Sequence, residues 1–141
     1  MYPQELVLPM TRELTQIGFQ SLLSSDEVKK VLDQKSGTTL LVINSVCGCA
    51  AANARPGVRV ALQMGPKPDH LVTVFAGVDR EAVQTAREYL LPYPPSSPAI
   101  ALFKDGQLVH MLERHHIEGR SAQMIADNLA AAFSNYCLIN A

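Results

Sequence analysis

The 141-residue chain is 48% hydrophobic and 18% charged, which excludes a disordered or fibrous polymer and suits one globular domain spanning residues 1–141. A formal net charge of -1 provides no long-range field, so composition favours neither a nucleic acid nor an anionic membrane as partner. Met1-Tyr2-Pro3-Gln4-Glu5 is not a basic stretch leading into an apolar run, and no segment offers about 18 uninterrupted apolar residues, so a cytoplasmic protein is expected.

Two helical patterns occupy residues 1–37 as an N-terminal extension. One begins near Pro3, where a proline suits the first turn; the other runs from a Ser25 cap through Glu27, Val28, Val31 and Leu32 and ends near Gly37. Thr38-Thr39-Leu40-Leu41-Val42-Ile43-Asn44 is apolar and β-branched throughout, the pattern of a strand buried on both faces. It runs directly into Val46-Cys47-Gly48-Cys49. From Cys49 onward Ala50, Ala51, Ala54, Val58, Ala61 and Leu62 recur at helix spacing, with Pro56-Gly57 expected to interrupt that helix.

Residues 70–76 form a second buried strand, followed by an Asp79 cap and a helix carrying Ala82, Val83, Ala86, Tyr89 and Leu90. Pro92-Tyr93-Pro94-Pro95-Ser96-Ser97-Pro98 reads as a stiff connector. Residues 99–103 and 108–112 flank Lys104-Asp105-Gly106-Gln107, and Asp-Gly between β-rich runs marks a tight hairpin. Ser121 caps a last helix whose apolar face holds Met124, Ile125, Leu129, Ala132 and Phe133. The order α-α-β-α-β-α-β-β-α predicts an α/β fold: a mixed central sheet flanked by helices.

The chemistry concentrates in Cys47-Gly48-Cys49. A thiol reacts as its thiolate, and the first turn of a helix stabilises a thiolate because its unpaired N–H groups and dipole favour negative charge. Cys47, at the helix cap and less enclosed than Cys49, is the expected nucleophile, with Cys49 as the resolving thiol. Side chains two apart on a helix diverge, so Gly48 is expected to ease a bridge suited to exchange rather than storage. An odd count of three cysteines, two of them too close to close a useful loop, argues against a structural disulfide framework. Inert buried thiols are the bland alternative. A metal-binding or thiol-storage module is another, recruiting Cys47, Cys49, Cys137 and His115 or His116, although the paired spacings of strong zinc motifs are missing.

Several stretches beyond the cysteines carry a resemblance. They are residues 42–50 (VINSVCGCA), Ala54-Arg55-Pro56, Phe75-Ala76-Gly77-Val78-Asp79, Pro94-Pro95-Ser96-Ser97-Pro98 and residues 111–120 (MLERHHIEGR). Over nearly the whole chain the sequence resembles the bacilliredoxin family. The resemblance implies a thioredoxin-like fold and removal of a low-molecular-weight thiol, bacillithiol, from mixed disulfides on client proteins. No cofactor is implied beyond bacillithiol as co-substrate. Protein disulfide isomerase activity through the same Cys-x-Cys pair is a related expectation. By the same resemblance Cys47 attacks, Cys49 resolves, and Pro98 corresponds to a cis-proline facing them. Gly48, Ser97 and Pro98 would then bind substrate, the Ser97 backbone being left free to pair with an extended client segment. Relative to thioredoxin, the motif lacks a preceding Trp and one spacer residue, which argues against a general dithiol reductase.

Other polar residues have two readings. Asn44 and Ser45 either bond the sulfur or fix and cap the turn. His115 and His116, taken as adjacent strand-end residues, would face opposite ways and so read as structural or solvated, as do His70 and His110. Arg55 and Arg80 are expected on the surface, with stabilisation of a thiolate or binding of thiol carboxylates as the alternative. Cys137, ahead of Leu138-Ile139-Asn140-Ala141, reads as an incidental tail cysteine, with resolution of a mixed disulfide as the alternative.

Overall fold

The computed structural model describes residues 2–137; Met1 and the 138–141 tail lie outside the described residues. A five-stranded sheet has the order β1-β3-β2-β4-β5, where β1 is Gln20–Ser21, β2 Thr38–Asn44, β3 His70–Phe75, β4 Ala99–Lys104 and β5 Gln107–Leu112. β1 and β2 flank β3 in parallel, β4 runs antiparallel to β2, and β5 antiparallel to β4. The expected mixed sheet flanked by helices is therefore present.

Alternation along the two central strands divides the core between the faces. Leu40, Val42, Ile100 and Leu102 point toward α1 (Gln4–Thr15), α3 (Arg55–Ala61) and α6 (Ala122–Tyr136). Leu41, Ile43, Ala99, Ala101 and Phe103 point toward α2 (Ser25–Leu32) and α4 (Arg80–Glu88). Both faces being covered explains why β2 reads as an unbroken apolar run: all seven of its residues are buried.

Local chemistry sets the boundaries. Ser24 rather than Ser25 caps α2, its Oγ accepting the Glu27 N–H at 3.2 Å, while Ser25 Oγ bonds Thr85 Oγ1 at 2.7 Å and ties α2 to α4. Ser121 Oγ accepts the Met124 N–H at 3.1 Å and starts α6 as expected. In the hairpin, Asp105 and Gly106 both take positive φ, 52° and 82°, the requirement of a two-residue type I′ turn. No helix among the described residues is long and apolar enough to cross a membrane.

Three elements differ from the sequence expectation. β1 adds a short edge strand between the first two helices. The helix after Cys47 is interrupted not at Pro56-Gly57 but just before it, by a π turn at Ala50–Ala54. Pro56 has no N–H to donate back along the helix, so widening the preceding turn accommodates it and Pro56 sits in the first turn of α3. Finally, Arg114–Ile117 forms a short helix, α5, so His115 and His116 do not continue a strand and do not diverge: their ring centroids are 4.0 Å apart.

Candidate active site

β2 ends at Asn44, and the chain turns through Ser45 and Val46 into a helix that begins at Gly48. Cys47 caps that helix: its carbonyl accepts the N–H groups of Ala50 at 3.0 Å and Ala51 at 3.3 Å. The N–H groups of Gly48 and Cys49 belong to the first turn, where no intrahelical acceptor exists. Cys47 and Cys49 are half-buried and joined as a disulfide, with Cα atoms 5.5 Å apart. The bridge spans the helix boundary, so the divergence of two fully helical side chains does not apply. Cys49 packs against the core face shared by α3 and α6, whereas Gly48 between the cysteines is exposed, with nothing within 4 Å of where a Cβ would stand.

The sheet register brings the connector to the same place. Ile43 pairs with Ala99, so Pro98 lies level with Asn44 and Ser97 beyond it, at the end of the sheet where Cys47 sits. The Ser97–Pro98 peptide is cis and Pro98 is buried. The Ser97 carbonyl is not wholly free, because Arg114 Nη1 from α5 donates to it at 3.3 Å, while the Arg114 N–H donates to Ser96 Oγ at 3.3 Å. Arg114 also pairs with Glu118. α5 reaches the cysteine helix as well, through Asn53 Nδ2 donating to the Ile117 carbonyl at 3.2 Å.

Asn44 and Ser45 fix the turn. Ser45 Oγ accepts the Cys47 N–H at 3.0 Å, and Asn44 Oδ1 accepts the Ser45 N–H at 2.9 Å. Asn44 Nδ2 donates to the Met10 carbonyl of α1 at 3.2 Å. Arg55, expected at the surface, is instead 3% exposed. Its Nη1 donates to Asn44 Oδ1 and to the Ser45 carbonyl, each at 3.0 Å, and its Nε forms an ion pair with Glu13 at 3.2 Å without a well-directed hydrogen bond. Sequence composition assigns arginine to the surface by default. Its partners here come from positions 13, 44 and 45, which no local pattern connects. Arg114 was likewise invisible as a neighbour of Ser97.

The sulfur-based metal set does not assemble. Cys137 is 7% exposed and packs in the core beside Thr38, the first residue of β2, whereas Cys47 follows its last. Burial pushes the Cys137 thiol up from its ordinary value, against a smaller lowering effect from Thr38. Among the described residues, Glu113, His115 and His116 are the group whose ligand atoms approach within 4.8 Å. His116 Nδ1 accepts the Glu113 N–H at 3.0 Å, which leaves the ring proton on Nε2 and removes the lone pair a metal would need. A surface groove of about 570 Å³ along the β5 edge between Tyr93 and Met111 contains neither Cys47 nor Cys49. Within the Cys-Gly-Cys turn only Gly48 is exposed, and the two cysteines flanking it are half-buried.

The family model described as disulphide isomerase matches residues 2–137. A bacilliredoxin of Cytophaga hutchinsonii is 62% identical over 133 residues, covering 94% of this chain and 98% of that protein. A bacilliredoxin of Halalkalibacterium halodurans is 51% identical over 136 residues, covering 96% and 94%. Among solved structures, mitochondrial thioredoxin 3 of Saccharomyces cerevisiae in its oxidized form matches with a TM-score of 0.57 at 18% identity, covering 87% of this chain and 98% of that one. The thioredoxin of Malassezia sympodialis matches with a TM-score of 0.55 at 18% identity, covering 84% and 90%. The distant structures establish a thioredoxin-like fold, and the close relatives establish that the chain belongs to the bacilliredoxin family of thiol–disulfide oxidoreductases.

Proposed function

We propose that the protein removes bacillithiol from mixed disulfides on client proteins in the cytoplasm, with Cys47 as the attacking thiolate and Cys49 as the resolving thiol. Cys47 Sγ attacks the bacillithiol sulfur of the modified client. The client–bacillithiol S–S bond breaks, the client leaves as its thiolate, and Cys47 carries the bacillithiol. Cys49 thiolate then attacks Cys47 Sγ, expelling bacillithiol and leaving the Cys47–Cys49 disulfide. The two electrons that reduce the client come from oxidation of this pair, and a low-molecular-weight or protein thiol restores it. A free thiol attacking the Cys47 adduct is a shorter route to the same end.

The observation that carries this reading is the place of Cys47 at a helix start, at the same end of the sheet as Ser97–Pro98, with a second sulfur in bonding reach. Gly48 and the edge of Ser97–Pro98 would receive the client backbone. A Cys49→Ser variant incubated with a bacillithiolated client should accumulate the adduct on Cys47 by peptide mass spectrometry, and Cys47→Ser should leave the client modified. An adduct on Cys49, or full turnover by Cys47→Ser, reverses the assignment.

The family model's description favours one further reading, isomerisation of misbridged proteins. It requires turnover on scrambled substrate with no low-molecular-weight thiol added, which the first reading does not predict.

A further inference from the structure

We propose that Arg55 is a positioning residue of this site, its buried guanidinium clamping the Asn44-Ser45 segment so that the Cys47 cap is held and a fixed positive charge lies close to the cysteine turn. The inference rests on Cys47 being the reacting thiol. A guanidinium is seldom buried without a purpose that offsets its desolvation. Here it is 3% exposed and reaches two oxygens that both precede Cys47 by no more than three residues. The chain of bonds is continuous: Arg55 Nη1 donates to the Ser45 carbonyl at 3.0 Å, and Ser45 Oγ accepts the Cys47 N–H at 3.0 Å.

The same guanidinium links the turn to α1. Glu13 lies 3.2 Å from Arg55 Nε and is the carboxylate within ion-pair distance among the described residues; its own side chain is 44% exposed, so water screens it more than the arginine. The imbalance leaves net positive character on the buried side. Other charged or titratable groups at this end of the sheet include Tyr2 beside Gly77, Asp79 beside Phe75, the Arg114–Glu118 pair beside Ser97, and Glu113 with His115 and His116 on the α5 side. None of these is bonded to the Ser45–Cys47 segment, so Arg55 is the charge connected to it by direct contacts.

The test measures the pH dependence of Cys47 alkylation by iodoacetamide in full-length protein carrying Cys49→Ser and Cys137→Ser, which reports one thiol irrespective of any client. Arg55→Met should move the midpoint upward and slow alkylation at neutral pH by roughly tenfold, the consequence of about one unit of lost acidity. Arg55→Lys keeps the charge but not the two-oxygen grip and should fall between parent and Arg55→Met. An unmoved midpoint in Arg55→Met overturns the proposal. Where circular dichroism shows that variant unfolded, a midpoint for Arg55→Lys equal to the parent's overturns it instead. The outcome is separable from the functional reading, which fails on its own if the Arg55-containing parent shows the acidity of an ordinary free cysteine.

Discussion

Cys137 and Cys47 stand at opposite ends of the same strand: Cys137 lies beside Thr38, where β2 begins, and Cys47 follows Asn44, where it ends. Seven strand residues place about 20 Å between those ends. Cys137 is therefore outside the reach of any disulfide with the pair, and its burial among Leu129, Ala132 and Phe133 makes it a packing residue. Replacing it with serine puts a hydroxyl where an apolar thiol fits, and the expected destabilisation is about 1–3 kcal/mol. Urea unfolding should show that loss while exchange activity per folded molecule stays at the parent value. A Cys137→Ser protein that is stable but inactive contradicts this account.

Gly48 meets no steric demand from its own chain, since an added Cβ would enter open space and its φ is not positive. Gly48→Ala should therefore leave the thermal midpoint unchanged or slightly raised, alanine being the better helix former. Its effect should appear against partners. A methyl group between the two cysteines obstructs a client backbone approaching the bridge, so reaction with a protein mixed disulfide should slow about tenfold while reaction with a small disulfide is nearly unaffected. Equal slowing of both substrates would assign the glycine to the geometry of the pair and not to client access.

Gly57 is under the opposite constraint. A Cβ there would lie 2.7 Å from Ile125 Cγ2, 2.9 Å from Ile125 Cβ and 3.1 Å from the Ala122 carbonyl, so α3 and α6 approach closely at this point. Cβ and backbone atoms cannot swing aside. Gly57→Ala should overpack the crossing and destabilise by about 1–3 kcal/mol, read as a lower urea midpoint at unchanged slope. Because α3 also carries Arg55, a displaced helix should retard alkylation of Cys47 even in the folded fraction.

Legibility in the sequence followed the range of the interaction. β2, the Asp105-Gly106 hairpin and the Ser121 cap are set by neighbours within a few positions, and local pattern suffices to find them. Cys47 at the junction of strand and helix was legible for the same reason, and the cis geometry of Ser97–Pro98 followed from the family resemblance and not from local chemistry. β1 has two residues, too few for any period. α5 has four; it is held by reciprocal bonds between Glu113 and His116 and by Asn53 from another helix. Arg55 was misplaced because burial of a charge is decided by where Glu13, Asn44 and Ser45 converge, which is a property of the assembled sheet end.

Asp79 gives the fold a pH dependence whose sign follows from its surroundings. It stands at the start of α4 without making a side-chain cap bond; its Oδ2 instead accepts the Phe75 N–H at 3.2 Å, at the end of β3 beside Asn44. Burial raises its carboxyl above the ordinary value, and the Phe75 bond, which lowers it, does not fully compensate. The native state therefore holds this proton more tightly than the unfolded chain does. Its contribution to stability is complete below the unfolded carboxyl value and is lost as pH rises through the higher native one. Asp79→Asn keeps an oxygen for Phe75 and removes the ionisation. Its stability relative to the parent should accordingly grow as urea unfolding is repeated from about pH 3 to about pH 7. A parent that gains on the variant over that range would mean that the charged carboxylate is the form the fold prefers.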